Sequence, residues 1–146
     1  MASLTFQRLA RLGWTDRALL VEAMAVLTLA SLAIKLVPFR RVVGAAAAFG
    51  RPEKEGGDDD LLTRKIVWWV NSAAKRVPWR AVCFQRGLAV HVMLRRRGIA
   101  SFLHYGVAQS DSLKAHVWVS ANGRDVIGGE EAAGFTRLAT YPPVAA

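Results

Sequence analysis

The chain contains a single cysteine, Cys83, which is the residue best suited to nucleophilic chemistry. It follows Pro78-Trp79, a turn-forming pair, and stands where a helical pattern begins. A helix N-terminus stabilises negative charge, and Arg80 and Arg86 lie close in sequence, so the thiolate form is favoured there. These features indicate a cysteine nucleophile. The alternative interpretation of a lone cysteine is a small buried hydrophobic residue.

A cysteine nucleophile needs an imidazole partner, and the three histidines fit that role unequally. His91 lies eight residues after Cys83 on the predicted helix, about 12 Å along its axis, which is beyond hydrogen-bond reach. His104 falls in mid-strand beside aromatic residues and is more typical of a partly buried structural histidine. His116 follows Cys83 by about thirty residues and shares a strand face with Trp118. We therefore expect His116 to be the base.

The hydrophobic pattern also predicts the elements that must hold these residues. Residues 83–97 form a helical pattern that ends at Gly98, a typical C-terminal cap. Three strands are predicted at 101–108, 115–121 and 124–127, with Asn122-Gly123 as the turn of a hairpin. In the second strand the polar side chains of His116, Trp118 and Ser120 alternate with Val117, Val119 and Ala121. The expected fold class is α+β, with the cysteine-bearing helix packed on a small antiparallel sheet.

The N-terminal part is predicted to be helical and apolar. Residues 16–37 form the most apolar segment, which ends at Pro38. Its uncharged stretch, 23–34, is shorter than the roughly 20 residues that a bilayer span needs. We expect this helix to be buried in its own domain or in a partner. Interfacial membrane attachment is the alternative, and it is the less favoured one.

A change in composition divides the chain. Residues 42–49 continue as an alanine-rich helix, and residues 50–57 then lose all apolar content, as expected of a linker. Asp58, Asp59 and Asp60 are placed to cap the next helix. The predicted buried face of that helix consists of Ile66, Trp69, Val70, Ala73 and Val77. The predicted organisation is an N-terminal helical extension (1–50), a linker (51–60) and a catalytic core (61–146).

Composition restricts the functional classes. The net charge of +9, from 20 Lys and Arg against 11 Asp and Glu, favours an acidic partner. Nucleic acid is disfavoured, because the basic residues are scattered without regular aromatic interleaving. One cysteine and three scattered histidines offer no metal-ligand cluster, and neither a metal nor another cofactor is expected. With one cysteine and no secretion signal at the N-terminus, a cytoplasmic location is expected.

The order of several short motifs resembles that of the lasso-peptide biosynthesis B2 proteins, a transglutaminase-like, papain-related family of cysteine proteases. The resemblance covers about residues 66–146, and the N-terminal helices also look similar. The motifs that carry it are Pro78-Trp79, Cys83, Arg86, Leu88-Ala89, Leu94-Arg95-Arg96-Arg97-Gly98-Ile99, Tyr105-Gly106-Val107, Ala115-His116-Val117-Trp118-Val119, Asn122-Gly123 and Val126-Ile127-Gly128-Gly129.

This resemblance implies a leader peptidase that acts on a ribosomally made precursor before a cyclase closes the ring. In it, Cys83 would be the nucleophile and His116 the general base. The partners implied are the precursor leader peptide, a separately encoded leader-recognition protein and a cyclase. The basic surface would suit an acidic leader.

The acid that orients His116 is the open part of the predicted site. Many relatives carry aspartate twelve residues after the histidine, where this chain has Gly128. Asp125 is the nearest acid and the predicted third catalytic residue. An ideal Asn122-Gly123 hairpin, however, pairs His116 with Gly129 and leaves Asp125 about 13 Å away along the strand. Glu130 or a backbone carbonyl are the alternatives for orienting the ring.

The oxyanion hole and the type of reaction also stay open. The backbone N–H of Cys83 is a natural donor for an oxyanion, and Gln85 or Trp79 are candidates for a second one. A non-catalytic peptide-binding scaffold is a competing interpretation, supported by the missing aspartate at Gly128. An acyl transferase is another, in which an amine captures the same acyl-enzyme instead of water.

Overall fold

The computed structural model describes residues 10–48 and 60–142. Five helices and four strands lie in these ranges. In chain order they are α1 (Trp14–Leu36), α2 (Phe39–Ala48), α3 (Asp60–Ala74), α4 (Cys83–Arg96), β1 (Ser101–Gln109), β2 (Leu113–Ala121), β3 (Arg124–Ile127), α5 (Gly129–Ala132) and β4 (Thr136–Tyr141). The fold is α+β, as the sequence predicted.

The four strands form one antiparallel sheet in the order β3-β2-β1-β4. The hairpin between β2 and β3 turns at Asn122 and Gly123, which both have positive φ angles, as a two-residue turn of this kind requires. The sequence missed β4 and α5. Both are short, and residues 128–141 carry two adjacent glycines and no clear helical or alternating pattern.

Helix α4 packs on the face of the sheet that carries Val117 and Val119. Gly87 makes this close approach, because a Cβ added there would lie 2.9 Å from Val117 Cγ1. The predicted alternation of β2 is thereby confirmed, with Val117 and Val119 in the core and His116 and Trp118 on the opposite face. Gly98, with φ +76°, ends the turn after α4 as expected.

The N-terminal helices belong to the same hydrophobic core. The predicted buried face of α3 is confirmed for Ile66, Trp69, Val70 and Ala73; Val77 is also buried, but it follows the end of the helix at Ala74. Helix α1 packs against α3 and α4 with the face formed by Leu19, Leu20, Ala23, Leu27, Ala30 and Ser31. Its opposite face is exposed. The expectation of a helix buried in its own domain therefore holds for only one side of α1.

One predicted register was wrong. Ala121 pairs with Arg124 and Ser120 with Asp125, as expected, but a bulge then shifts the register so that Val119 pairs with Ile127. The extra residue is Val126, and β3 ends at Ile127, so the predicted pairing of His116 with Gly129 does not form. Of the predicted linker (51–60), the structure describes only Asp60. The predicted capping residues Asp58 and Asp59 lie outside the described residues.

Candidate active site

Cys83 is the first residue of α4, and its side chain is partly exposed. The preceding residue, Val82, has extended backbone angles and leads into the helix from the Pro78-Trp79 turn. Its N–H donates to Oε1 of Gln85 at 3.1 Å, which closes the first turn of the helix. The thiol therefore stands at the N-terminal end of a 14-residue helix, which is the positive end of the helix dipole.

His116 lies on β2 and is held on several sides. It is only 4% exposed, its ring stacks on Trp118 with centroids 5.9 Å apart, and Phe135 covers it at 5.0 Å. Its Nε2 lies 2.8 Å from the carbonyl oxygen of Gly128. Because a carbonyl oxygen only accepts hydrogen bonds, Nε2 carries the proton. In the neutral ring Nδ1 then keeps the lone pair and can accept a proton from a thiol.

Gly128 reaches His116 because it has no side chain. Its φ of +75° lies in the left-handed region, and an added Cβ would lie 2.8 Å from Val117 O and 3.3 Å from His116 Nε2. The glycine thus brings its carbonyl to the position where a carboxylate would orient the imidazole. Of the alternatives left open by the sequence, the backbone carbonyl is the one that contacts the Nε2 proton.

The acidic residues lie on the same side of the site but do not replace this carbonyl. Asp125 packs against Gly129, and no hydrogen bond or ion pair joins it to His116 within the described part of the chain. Glu131, on α5, places Oε2 3.7 Å from His116 Nδ1 and is 75% exposed. The sequence named Asp125 and Glu130 and missed Glu131, since α5 itself was not predicted.

Cys83 and His116 line one cleft of about 630 Å³ between α3, α4 and the loop after β3. Its other walls are formed by Val67, Asn71, Arg86, Val117, Asp125, Val126, Ile127, Gly128, Gly129, Glu130 and Glu131. No hydrogen bond joins the Cys83 thiol to His116, both of which are described. Such contacts are often long in free enzymes and shorten when substrate binds.

The cleft continues into a second cavity of about 390 Å³ between α3 and β3. The two share Val67, Asn71, Asp125 and Val126, so together they form one groove. Trp68, which is exposed, lines the second cavity but not the first. The groove also runs beside β3, an edge strand of the sheet.

Two donors near Cys83 have buried nitrogens without a partner among the described residues. Arg86 lines the cleft one turn after Cys83, and its Nη1 makes a 3.5 Å contact with Asn71 while Nε is unpaired. The indole nitrogen of Trp79 is also unpaired. Gln85, the other candidate for an oxyanion donor, already uses its side-chain oxygen in the helix cap.

The other two histidines have structural surroundings. His91 is fully buried, its Nδ1 lies 2.8 Å from Ser101 Oγ, and burial is the main cause that lowers its pKa to about 3. His104 lies between Thr140 Oγ1 at 3.0 Å and Ser120 Oγ at 2.8 Å. Burial first, and Arg137 second, lower the pKa of His104, while Asp125 raises it.

No group of three or more His, Cys, Asp or Glu residues within 10–48 and 60–142 is arranged to hold a metal ion. Because Cys83 and His116 both line the cleft, its own side chains can perform thiol–imidazole chemistry. The cleft offers a nucleophile at a helix start, a base whose tautomer is set by a carbonyl, and a cation at Arg86.

Comparison with protein families gives one match. Residues 24–140 match the family described as the transglutaminase-like superfamily. The match begins within α1 and ends within β4, so it includes both Cys83 and His116. No curated protein and no solved structure matches the chain.

Proposed function

Since the chain belongs to the transglutaminase-like superfamily, we propose that it is a cysteine peptidase that removes the leader from a ribosomally synthesised precursor during lasso-peptide maturation. The superfamily includes cysteine peptidases and acyl transferases. The observation that carries the proposal is the shared cleft of Cys83 and His116, in which Gly128 fixes the His116 ring.

The proposed reaction follows from this arrangement. Nδ1 of His116 takes the thiol proton, and the thiolate of Cys83 attacks the carbonyl carbon of the scissile peptide bond. As the C–N bond breaks, the imidazolium returns the proton to the leaving amine, and a thioester to Cys83 remains. His116 then takes a proton from water, whose oxygen attacks the thioester and releases the carboxylate and the free thiol.

The groove supports a peptide substrate. It extends from Cys83 past Asp125 and Val126 to Trp68, which gives an extended chain a continuous surface. Arg86 puts a cation beside the nucleophile and would suit an acidic group of the leader. In this proposal a separate recognition protein presents the leader, a cyclase receives the product, and the reaction takes place in the cytoplasm.

The test is incubation with the precursor and the recognition protein encoded beside this chain's gene, followed by mass spectrometry. Hydrolysis yields two fragments whose masses sum to that of the precursor plus one water. We expect these fragments from the unmodified chain and none from Cys83→Ser or His116→Ala, each with an unchanged melting temperature. A product in which an amine has replaced the leader would make the protein a transferase. Precursor binding without cleavage would make it a scaffold.

A further inference from the structure

The exposed face of α1 carries an apolar stripe. Its five large side chains, Trp14, Val21, Leu29, Leu32 and Leu36, are between 51% and 83% exposed. At 100° per residue they fall within an arc of about 80°, and they extend over about 33 Å of helix. A continuous apolar patch of this length is unusual on the surface of a monomeric protein and marks an interaction site.

Neither acidic side chain of α1 belongs to this stripe, and both are paired with other parts of the chain. Asp16 accepts a 3.3 Å hydrogen bond from the indole of Trp69. Glu22 is paired with Arg96 at 3.2 Å and with Arg97 at 2.6 Å. The exposed side of α1 therefore presents apolar surface without negative charge.

Positive charges instead flank the stripe at both ends. Arg11 lies before the helix and Arg17 stands over the Trp14 ring, 5.7 Å from its centroid. Lys35, Arg40 and Arg41 are exposed at the other end. An apolar helix face with basic residues at its margins and an aromatic ring at one end is the pattern of a helix that lies in the interface of an anionic membrane.

We propose that α1 attaches the protein to the surface of a membrane that contains anionic lipid, with the stripe lying in the plane of the interface. By length and hydropathy alone α1 would qualify as a membrane span, since its most apolar 18-residue window has a mean hydropathy of 2.0. Its other face, however, packs against α3 and α4. The helix lies flat on the lipid while that packing is kept.

The charge pattern disfavours a second copy of the chain as the occupant of the stripe. In an antiparallel pair, Arg11 and Arg17 of one copy would meet Lys35, Arg40 and Arg41 of the other. In a parallel pair each group would meet itself. Both arrangements bring like charges together, whereas an anionic lipid surface neutralises all of them.

The test is co-sedimentation of the full chain with vesicles of phosphatidylcholine that contain about one-third phosphatidylglycerol. We expect binding that weakens in high salt and in pure phosphatidylcholine. The double variant Leu29→Glu/Leu32→Glu should lower the partition coefficient by about tenfold or more. A control, Leu113→Glu, changes an equally exposed leucine on β2 and should bind normally.

Because all three leucines are exposed, we expect the variants to fold normally, and their melting temperatures check this. The proposal is overturned if the unmodified chain stays in the supernatant with anionic vesicles. It is also overturned if Leu113→Glu loses as much binding as the double variant, or if the chain is a dimer that the double variant dissociates. Because cleavage of a soluble precursor does not need the stripe, failure here leaves the peptidase proposal standing.

Discussion

At the scale of single residues, the orientation of the His116 ring depends on the carbonyl oxygen of Gly128, which lies 2.8 Å from Nε2. Cys83 and His116 were accessible to sequence reasoning, because a thiol at a helix start and an imidazole on a strand have local signatures. The role of Gly128 was not, since it depends on the bulge at Val126, which has no residue signature, and on the position that this bulge gives to the Gly128 carbonyl.

Replacing Gly128 by alanine tests the role of its carbonyl. The added Cβ would meet Val117 O and His116 Nε2, so the carbonyl and the ring must separate. We expect the leader-cleavage rate to fall by about 10- to 100-fold and stability to fall by about 1–2 kcal/mol. Gly123→Ala is the matched control, because Gly123 has a similar φ of +77° with nothing within 4 Å. Equal loss of cleavage in both variants would argue against the Gly128 carbonyl as the orienting group.

The two acids in the cleft can be separated by neutralising each one. Glu131 Oε2 lies 3.7 Å from His116 Nδ1, but its side chain is 75% exposed and its charge is largely screened, so Glu131→Gln should slow cleavage by only about two- to fivefold. Asp125→Asn should leave the rate within about twofold, since Asp125 opposes Ser120 instead of His116. Steady-state cleavage rates distinguish the two. A large loss in Asp125→Asn alone would return Asp125 to the catalytic role that the sequence predicted for it.

At the scale of elements, a salt bridge between Glu22 of α1 and Arg97, the residue that follows α4, joins the two helices. These two residues are 75 positions apart in the chain. The sequence predicted both helices, but periodicity carries no information about which charges meet across a helix pair. The hydrogen bond from Arg97, and then its charge and that of Arg96, lower the pKa of Glu22. Burial of Glu22 opposes this shift without cancelling it.

This ion pair predicts a specific acid sensitivity. Folding lowers the pKa of the Glu22 carboxyl below its ordinary value of 4.5, so the ionised carboxylate stabilises the folded protein at pH values above 4.5. This contribution is lost as the pH falls through the lower pKa of the folded state. At neutral pH we expect Glu22→Gln to cost about 1–2 kcal/mol in urea denaturation. Asp111→Asn, a change of an exposed acid after β1, should cost almost nothing. Equal stabilities of the two variants would contradict a structural role for the pair.

At the scale of the whole molecule, one core joins the N-terminal helices to the sheet, and the family match also begins inside α1. The fold class, four of the helices and three of the strands were predictable, because each has a hydrophobic period of its own. The residues that pair between β1 and β4 are 29 to 38 positions apart, and α5 spans only four residues, so both elements depend on contacts that local patterns do not encode.

The buried His91 makes global stability depend on pH. Folding lowers its pKa from 6.5 to about 3, so the unfolded chain binds the proton first as pH falls. Stability should therefore decrease below pH 6.5, by about 1–2 kcal/mol on reaching about pH 5. Urea titrations should show a smaller decrease for His91→Met than for the unmodified chain. His104 shifts in the same direction, so His104→Gln serves as the comparison. A pH slope that His91→Met leaves unchanged would exclude His91 as its main source.

The proposal that Cys83 is a nucleophile served by His116 is tested most directly by the rate of Cys83 alkylation with iodoacetamide at about pH 6. We predict that Cys83 reacts at least about tenfold faster than glutathione, and that His116→Ala removes this advantage while folded His104→Gln keeps it. Cys83 is the only cysteine in the chain, so the label reports on this site alone. A Cys83 rate equal to that of glutathione, unchanged in His116→Ala, would contradict the proposed catalytic pair.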